Sequence, residues 1–376
     1  MAAGTRKVVL TANSVWNIVN FRDGLIRALK DAGYQPVIVA PAESALQARL
    51  SELGVEHIDI SIDRSGVNPI ADLQLYRTYR KLFSQIRPVA VLAFTIKPNI
   101  YGSLAARAPG IPAFPNVSGL GTAFIRGGML QILVSRLYRQ AFRACGTIFF
   151  QNPDDRRLFV DRGIVNAGQA KLLPGSGIDL DRFAPAPQPE GPLIFLLIAR
   201  LLGDKGVREY VTAAQQLRCR MPEARFQLLG PIDEGNRTGV RPAELEAWIA
   251  EGTIEYLGTT DDVRPQLAAA SAVVLPSYRE GLPRSLLEGA AMGRPLIATD
   301  VPGCREVVAD GINGFLCTPR DPGSLGRAMA RLAELPQAER QAMGDASRRL
   351  VQERFSELVV IRAYLDELDR LDRSPS

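Results

Sequence analysis

Histidine is nearly missing from these 376 residues: His57 stands alone, and the four cysteines, Cys145, Cys219, Cys304 and Cys317, have no C-x-x-C spacing. A structural zinc site is therefore not expected. No apolar run approaches the roughly 20 residues that cross a bilayer. The N-terminal M-A-A-G-T-R-K leads straight into a strand pattern without a signal-peptide core. These absences point to a cytoplasmic protein that touches a membrane peripherally if at all. The acidic pairs Asp154-Asp155 and Asp261-Asp262 precede helical patterns, where acids cap, so no tightly held metal or other cofactor is expected. His57 occupies a strand position in V-E-H-I-D-I and reads as structural.

What is present is ordinary for a globular enzyme: 46% hydrophobic and 23% charged residues, with a net charge of +5. The mild basicity suits an anionic nucleotide or lipid without specifying either, and nucleic acid is not an expected partner. The length is about twice that of a common domain, so two domains are expected.

The N-terminal half alternates buried strands with amphipathic helices. Strands are expected over 7–11, 36–40, 55–60, 89–94 and 147–150, and helices over 22–32 and 44–53, each closed by a glycine. F-A-P-A-P-Q-P-E-G-P (183–192) carries four prolines in ten residues and reads as a stiff interdomain linker. A second strand series follows at 193–199, 225–229, 254–257, 272–275 and 296–299. Such alternation gives right-handed βαβ units on parallel sheets. Ligands of these sheets bind outside the carboxyl ends of the strands.

Two fragments carry the chemistry. S-Y-R-E-G-L-P-R-S-L-L-E-G-A-A-M-G (277–293) sets Glu280 ahead of a helix opening near Pro283 and Glu288 within it. The first amides of that helix, around Arg284, Ser285 and Leu286, favour an anion in the loop of Gly281 and Leu282, and the two glutamates can accept from hydroxyls on either side. I-A-R-L-L-G-D-K-G (198–206) ends a buried strand at Arg200, with Lys205 in the next loop. Arg200 can grip phosphate oxygens bidentately, and Lys205 adds a point charge.

Together, Arg200, Lys205 and the E-x7-E pair Glu280 and Glu288 resemble the family 4 retaining glycosyltransferases. The similarity runs over nearly the whole chain. In the N-terminal half, I-D-R-S-G-V-N-P (62–69), T-I-K-P-N-I-Y-G (95–102), N-V-S-G-L-G (116–121) and F-Q-N-P-D-D (150–155) are similar to bacterial enzymes that extend sugars on polyprenyl diphosphate. The resemblance implies a GT-B α/β fold, two facing Rossmann-like parallel-sheet domains with a cleft between them. It places an acceptor domain at 1–188, a nucleotide-sugar domain at 189–356 and a last helix, about 357–376, packing back on the first. It implies a metal-independent transfer of a hexose or N-acetylhexosamine from a UDP-sugar to a polyprenyl-diphosphate-linked saccharide. Glu288 would hold the ribose and Glu280 would lie near the donor sugar, with Arg200 and Lys205 on the diphosphate.

The chain departs from the family twice. Asn13-Ser14-Val15-Trp16 replaces a common Gly-Gly pair, and His57 does not supply the usual N-domain histidine. Acceptor contacts are then sought from Asn13, Asn17, Lys97, Asn116, Ser118 and Gly119, each of which could equally form a turn or cap. Residues 124–143 combine an apolar stripe (Met129, Leu130, Leu133, Val134, Leu137, Tyr138, Ala141) with Arg126, Arg136, Arg139 and Arg143. That stripe fits either an anionic membrane surface or the domain's own core. A soluble acceptor, a nucleotide-sugar epimerase and a non-catalytic nucleotide or glycan-binding module remain the alternatives.

Overall fold

The computed structural model describes residues 6–63, 68–120, 128–233 and 235–373. Residues 64–67 of the first N-terminal motif, Gly121 of the third, and Phe124 to Gly127 with Arg126 lie outside the described residues. The chain divides into two compact units, Met1–Gly177 with Glu357–Ser376, and Ile178–Ser356.

The first unit holds a parallel sheet of β1 (Lys7–Thr11), β2 (Gln35–Val39), β3 (Glu56–Ile58), β4 (Ala90–Phe94), β5 (Ala113–Val117), β6 (Ile148–Phe150) and β7 (Ala170–Leu172), in the order β3-β2-β1-β4-β5-β6-β7. Runs such as V-V-L in β1 and A-V-L-A-F in β4 are apolar throughout because helices cover both faces. β1 pairs with both β2 and β4, so the strand order reverses between β1 and β4. The helix Glu357–Arg373 returns to this unit and puts Val360, Tyr364 and Leu368 into the core that contains Val8, Leu10, Leu92 and Phe149. Tyr364 meets Phe149 edge-on at 4.9 Å and Phe94 at 6.1 Å.

The second unit holds β8 (Ile194–Ile198), β9 (Arg225–Leu229), β10 (Glu255–Tyr256), β11 (Ala272–Leu275), β12 (Leu296–Thr299) and β13 (Gly314–Cys317), in the order β10-β9-β8-β11-β12-β13. Here the reversal falls between β8 and β11, the strands that precede Lys205 and Glu280.

The division at 177/178 precedes the proline-rich stretch, which is fastened to the second unit. Fully buried Arg294 donates to the carbonyls of Ala186, Pro187, Ala270 and Met292, and Arg348 Nη1 donates to Phe183 and Ala291 at 2.8 Å each. Desolvation pulls the Arg294 guanidinium down to about 10, and four carbonyl dipoles stand in for a counter-ion.

Candidate functional site

Lys205 and Glu280 follow the carboxyl ends of β8 and β11 in the second unit. Beyond β8 the chain makes a tight 3-10 turn, Gly203–Lys205, and leaves it through Gly206 at φ +74°. A Cβ on Gly206 would stand 2.0 Å from the Pro276 carbonyl oxygen, so only glycine lets this turn close on the end of β11. Asp204 then accepts from Tyr278 N at 3.0 Å and from Ser277 Oγ at 3.1 Å. This docking brings Lys205 Nζ onto Glu280 Oε1 as an ion pair, with the side chains 25% and 12% exposed.

Glu280 is fixed from the other side by the loop after β12. Its amide donates to Pro302 O at 3.2 Å, and Gly303, at φ +85°, lies where a Cβ would meet the carbonyl oxygens of Glu280 and Gly281 at 2.7 Å. Burial pushes the Cys304 thiol well above its ordinary range; Glu280 adds to the rise and Lys205 opposes it. Cys304 is thus an inert wall of the pair rather than a nucleophile.

Next comes the helix Arg284–Ala291, with Pro283 as its N-cap rather than its first helical residue, a difference of one position. Its N-cap Pro283 makes no side-chain cap bond, and the first helical residues, Arg284, Ser285 and Leu286, follow directly on the Gly281-Leu282 loop. Glu288 lies one turn in, and its Oε1 accepts from Arg284 Nε at 2.9 Å. Burial raises the Glu288 carboxyl, against the opposing pull of Arg284 and then of Arg182. Arg200 stands apart from both glutamates: its Nη1 pairs with Asp233 Oδ2 at 3.0 Å, and it is more than half exposed. The structure therefore gathers Lys205 with Glu280 and Arg284 with Glu288, and holds Arg200 on the loop after β9.

Glu209 and Arg320, which meet Tyr278 here, had no signal in the sequence. The Tyr278 hydroxyl donates to Glu209 Oε1 at 2.5 Å, and Arg320 lies over its ring at 4.6 Å. Burial and Glu209 together push that hydroxyl up to about 12. Asp179-Leu180-Asp181, an Asp-x-Asp spacing, is a turn: Asp179 Oδ1 accepts from the amides of Asp181 and Arg182. Asp154 and Asp155 fall inside the first turn of the helix Pro153–Asp161, whose cap is Asn152. Asp262 is held by Arg264 and pulled down to about 2. Among the described residues, no three His, Cys, Asp or Glu side chains gather in a way that could hold a metal ion.

In the first unit, Asn13 and Lys97 follow β1 and β4 at the strand reversal. Asn13 N donates to Thr95 Oγ1 at 3.1 Å, and Thr95 takes φ +68°, an unusual backbone for a β-branched residue. Lys97 Nζ lies 2.8 Å from Asp72 Oδ1 and 3.8 Å from Asp63 Oδ2, and the Tyr101 hydroxyl donates to Asp72 Oδ2. Asn17 accepts from Arg22 at 2.8 Å. Asn116 is buried and donates to the Tyr364 hydroxyl at 3.0 Å, so its side chain bolts the C-terminal helix to the sheet. Ser118 and Gly119 are partly exposed beyond β5. His57 is tied to the Ala40 carbonyl at 2.9 Å within β3.

The apolar stripe divides along the helix Gly128–Phe142. Tyr138, Ala141 and Phe142 are buried, while Met129 is 88% exposed, Leu133 46% exposed, and Leu130 and Ile132 also face water. Arg139 donates to the carbonyls of Arg162 and Gly163, whereas Arg136 and Arg143 are exposed.

Two parallel, doubly wound units, the second with acid and base paired at its strand reversal, have the architecture of the GT-B glycosyltransferases. The family model of the glycosyl transferase 4-like domain matches residues 20–176, and that of glycosyl transferases group 1 matches residues 192–334. The chain belongs to this family, the family 4 type of glycosyltransferase. It is 27% identical over 373 residues, 94% of this chain and 96% of the relative, to the N,N'-diacetylbacillosaminyl-diphospho-undecaprenol alpha-1,3-N-acetylgalactosaminyltransferase of Campylobacter jejuni. It is 22% identical over 283 residues, 72% of each protein, to the UDP-Gal:alpha-D-GlcNAc-diphosphoundecaprenol alpha-1,3-galactosyltransferase of Escherichia coli. The crystal structure of Anabaena HepE in complex with UDP and glucose shares the fold, with a TM-score of 0.78 at 17% identity over 97% of this chain and 99% of that one.

Proposed function

We propose that this glycosyltransferase moves a hexose or N-acetylhexosamine from a UDP-sugar, with retention of configuration and without a metal, to a saccharide carried on polyprenyl diphosphate. The observation that carries the reading is the Lys205–Glu280 pair at the ends of adjacent strands β8 and β11, directly ahead of the Arg284 helix N-terminus. Lys205, Arg200 and the first helix amides supply positive charge for a departing diphosphate. Glu288 offers acceptors to the ribose, and Glu280, released from Lys205 by the phosphate, offers them to the donor sugar. The bond from the anomeric carbon to the diphosphate breaks as the acceptor hydroxyl attacks from the same face. Its proton passes to the leaving phosphate oxygen and UDP departs. No second carboxyl is needed across the bond, unlike in a retaining glycosidase.

The acceptor class rests on the names of the Campylobacter and Escherichia relatives, both of which act on undecaprenol-linked diphospho-sugars. The exposed apolar end of Gly128–Phe142, with Arg136 about one turn beyond it, suits an anionic bilayer surface that would present such an acceptor. The test is UDP release from a panel of UDP-sugars, in EDTA, with and without a polyprenyl-diphosphate sugar, for the wild type and Glu288→Ala. Acceptor-dependent release that persists in EDTA and falls at least a hundredfold in the variant is expected. Equal release with a water-soluble acceptor would replace the lipid-linked reading, and isomerised donor without acceptor would indicate an epimerase.

A further inference from the structure

Arg284 precedes Glu288 by one helical turn, and the pair it makes is poorly suited to stabilising a helix. The cation lies at the N-terminal end, where the dipole disfavours it, and the acid lies deeper; Arg before Glu is also the weaker order for an i,i+4 pair. Even in the better order, an exposed pair contributes only about 0.3–0.5 kcal/mol. Yet both side chains are largely withdrawn from water, 19% and 13% exposed, and Nε meets Oε1 at 2.9 Å. The bond engages one carboxylate oxygen, and among the described residues no donor is bonded to the other. A carboxylate held by one oxygen with the second open is arranged to receive hydroxyl hydrogens in one fixed direction.

We propose that Arg284 is a positioning residue for the nucleoside half of the donor, locking the Glu288 carboxylate in the rotamer that accepts the ribose hydroxyls. The inference rests on the reading of Glu288 as the ribose acceptor. Two cations face Glu288: Arg284 from its own helix and Arg182 from the segment ahead of β8. Burial alone favours the protonated acid, which would give up one acceptor site for the diol. Arg284 opposes this by charge and by hydrogen bond, so its removal raises the Glu288 carboxyl further. Donor affinity that depends on the carboxylate is then lost at a higher pH as the solution is acidified.

The experiment is calorimetric binding of UDP and 2′-deoxy-UDP across pH 5–8 to the full-length protein, in the wild type, Arg284→Leu, Arg284→Lys and Glu288→Ala, with donor KM and kcat alongside. In Arg284→Leu, UDP affinity falls about tenfold, equivalent to about 1.4 kcal/mol. The preference for UDP over the deoxy ligand shrinks, the acid limb of affinity moves to higher pH, and KM rises more than kcat falls. Arg284→Lys restores the pH limb but not the full ribose preference, because a point charge does not fix the rotamer. Wild-type discrimination and pH limb in Arg284→Leu, with discrimination lost in Glu288→Ala, would overturn the proposal and leave the ribose reading standing. Wild-type discrimination in Glu288→Ala would instead remove the ribose reading beneath it. Should Arg284→Leu fail to fold, Arg284→Gln carries the same comparison with the length and polarity of the side chain largely kept.

Discussion

Lys205 and Glu280 neutralise each other in this structure, and that pairing sets the consequence of removing either one. A partly buried carboxylate left without its cation is costly, so on the proposed function Lys205→Met affects two things: the charge offered to the leaving diphosphate and the orientation of Glu280. Loss of one such charge-stabilising group raises a barrier by about 2.7–4 kcal/mol, a hundredfold to a thousandfold in rate. The expected result for Lys205→Met is a kcat reduced by that range under saturating donor, with Lys205→Arg recovering part of it. If Lys205→Met keeps kcat within about threefold of wild type, the phosphate charge is supplied elsewhere, and Arg200, held out on Asp233, becomes the principal cation.

At the scale of elements, the helix Gly128–Phe142 is anchored at one end and exposed at the other. Its last turn is packed by Tyr138, Ala141 and Phe142 against Phe159, while Met129, Leu130, Ile132 and Leu133 stay in water. Leu133→Glu therefore costs little stability, within about 0.5 kcal/mol as for most surface changes, yet places an acid on the face proposed to enter the bilayer. Flotation with vesicles containing anionic lipid should fall severalfold in this variant with an unchanged thermal midpoint; binding that is indifferent both to the substitution and to lipid charge would exclude the membrane role of this face. The sequence shows the stripe but not where it leaves the core, because that depends on which neighbours end first. Strands were legible where apolar residues dominate a short run: β1, β9, β11 and β12 match to the residue. β5 was not, since A-F-P-N-V carries a proline that ordinarily argues against a central strand. The elements that carry the residues proposed for the donor side were legible because one turn and one helix hold Lys205, Arg284 and Glu288 locally. Asn116 was not, because the hydroxyl it bonds belongs to Tyr364, 248 residues away.

For the whole molecule, the two units differ in how their chain is assembled. The second is continuous, Ile178–Ser356, with its own buried clusters on both faces of the sheet. Its ends lie together, since Ile178 N donates to Phe355 O at 2.9 Å. A segment of roughly 180 residues with a complete core has the size and closure of an independent domain. The first unit is discontinuous and borrows Val360, Tyr364 and Leu368 from beyond the second. Burying Val360 and Leu368 contributes roughly 1.5–3 kcal/mol apiece, with Tyr364 adding its hydrogen bond to Asn116, against a total stability on the order of 5–15 kcal/mol. The segment 178–356 expressed alone should thus unfold cooperatively in urea and still bind UDP, because the residues proposed to hold the donor, Lys205, Glu280, Arg284 and Glu288, all lie within it. The segment 1–177 alone should be insoluble or molten, and adding 357–376 through a short linker should restore it. A cooperative, soluble 1–177 would mean that the C-terminal helix only covers a core already sufficient without it; a molten 178–356 would mean that the donor unit requires the other half of the chain to fold.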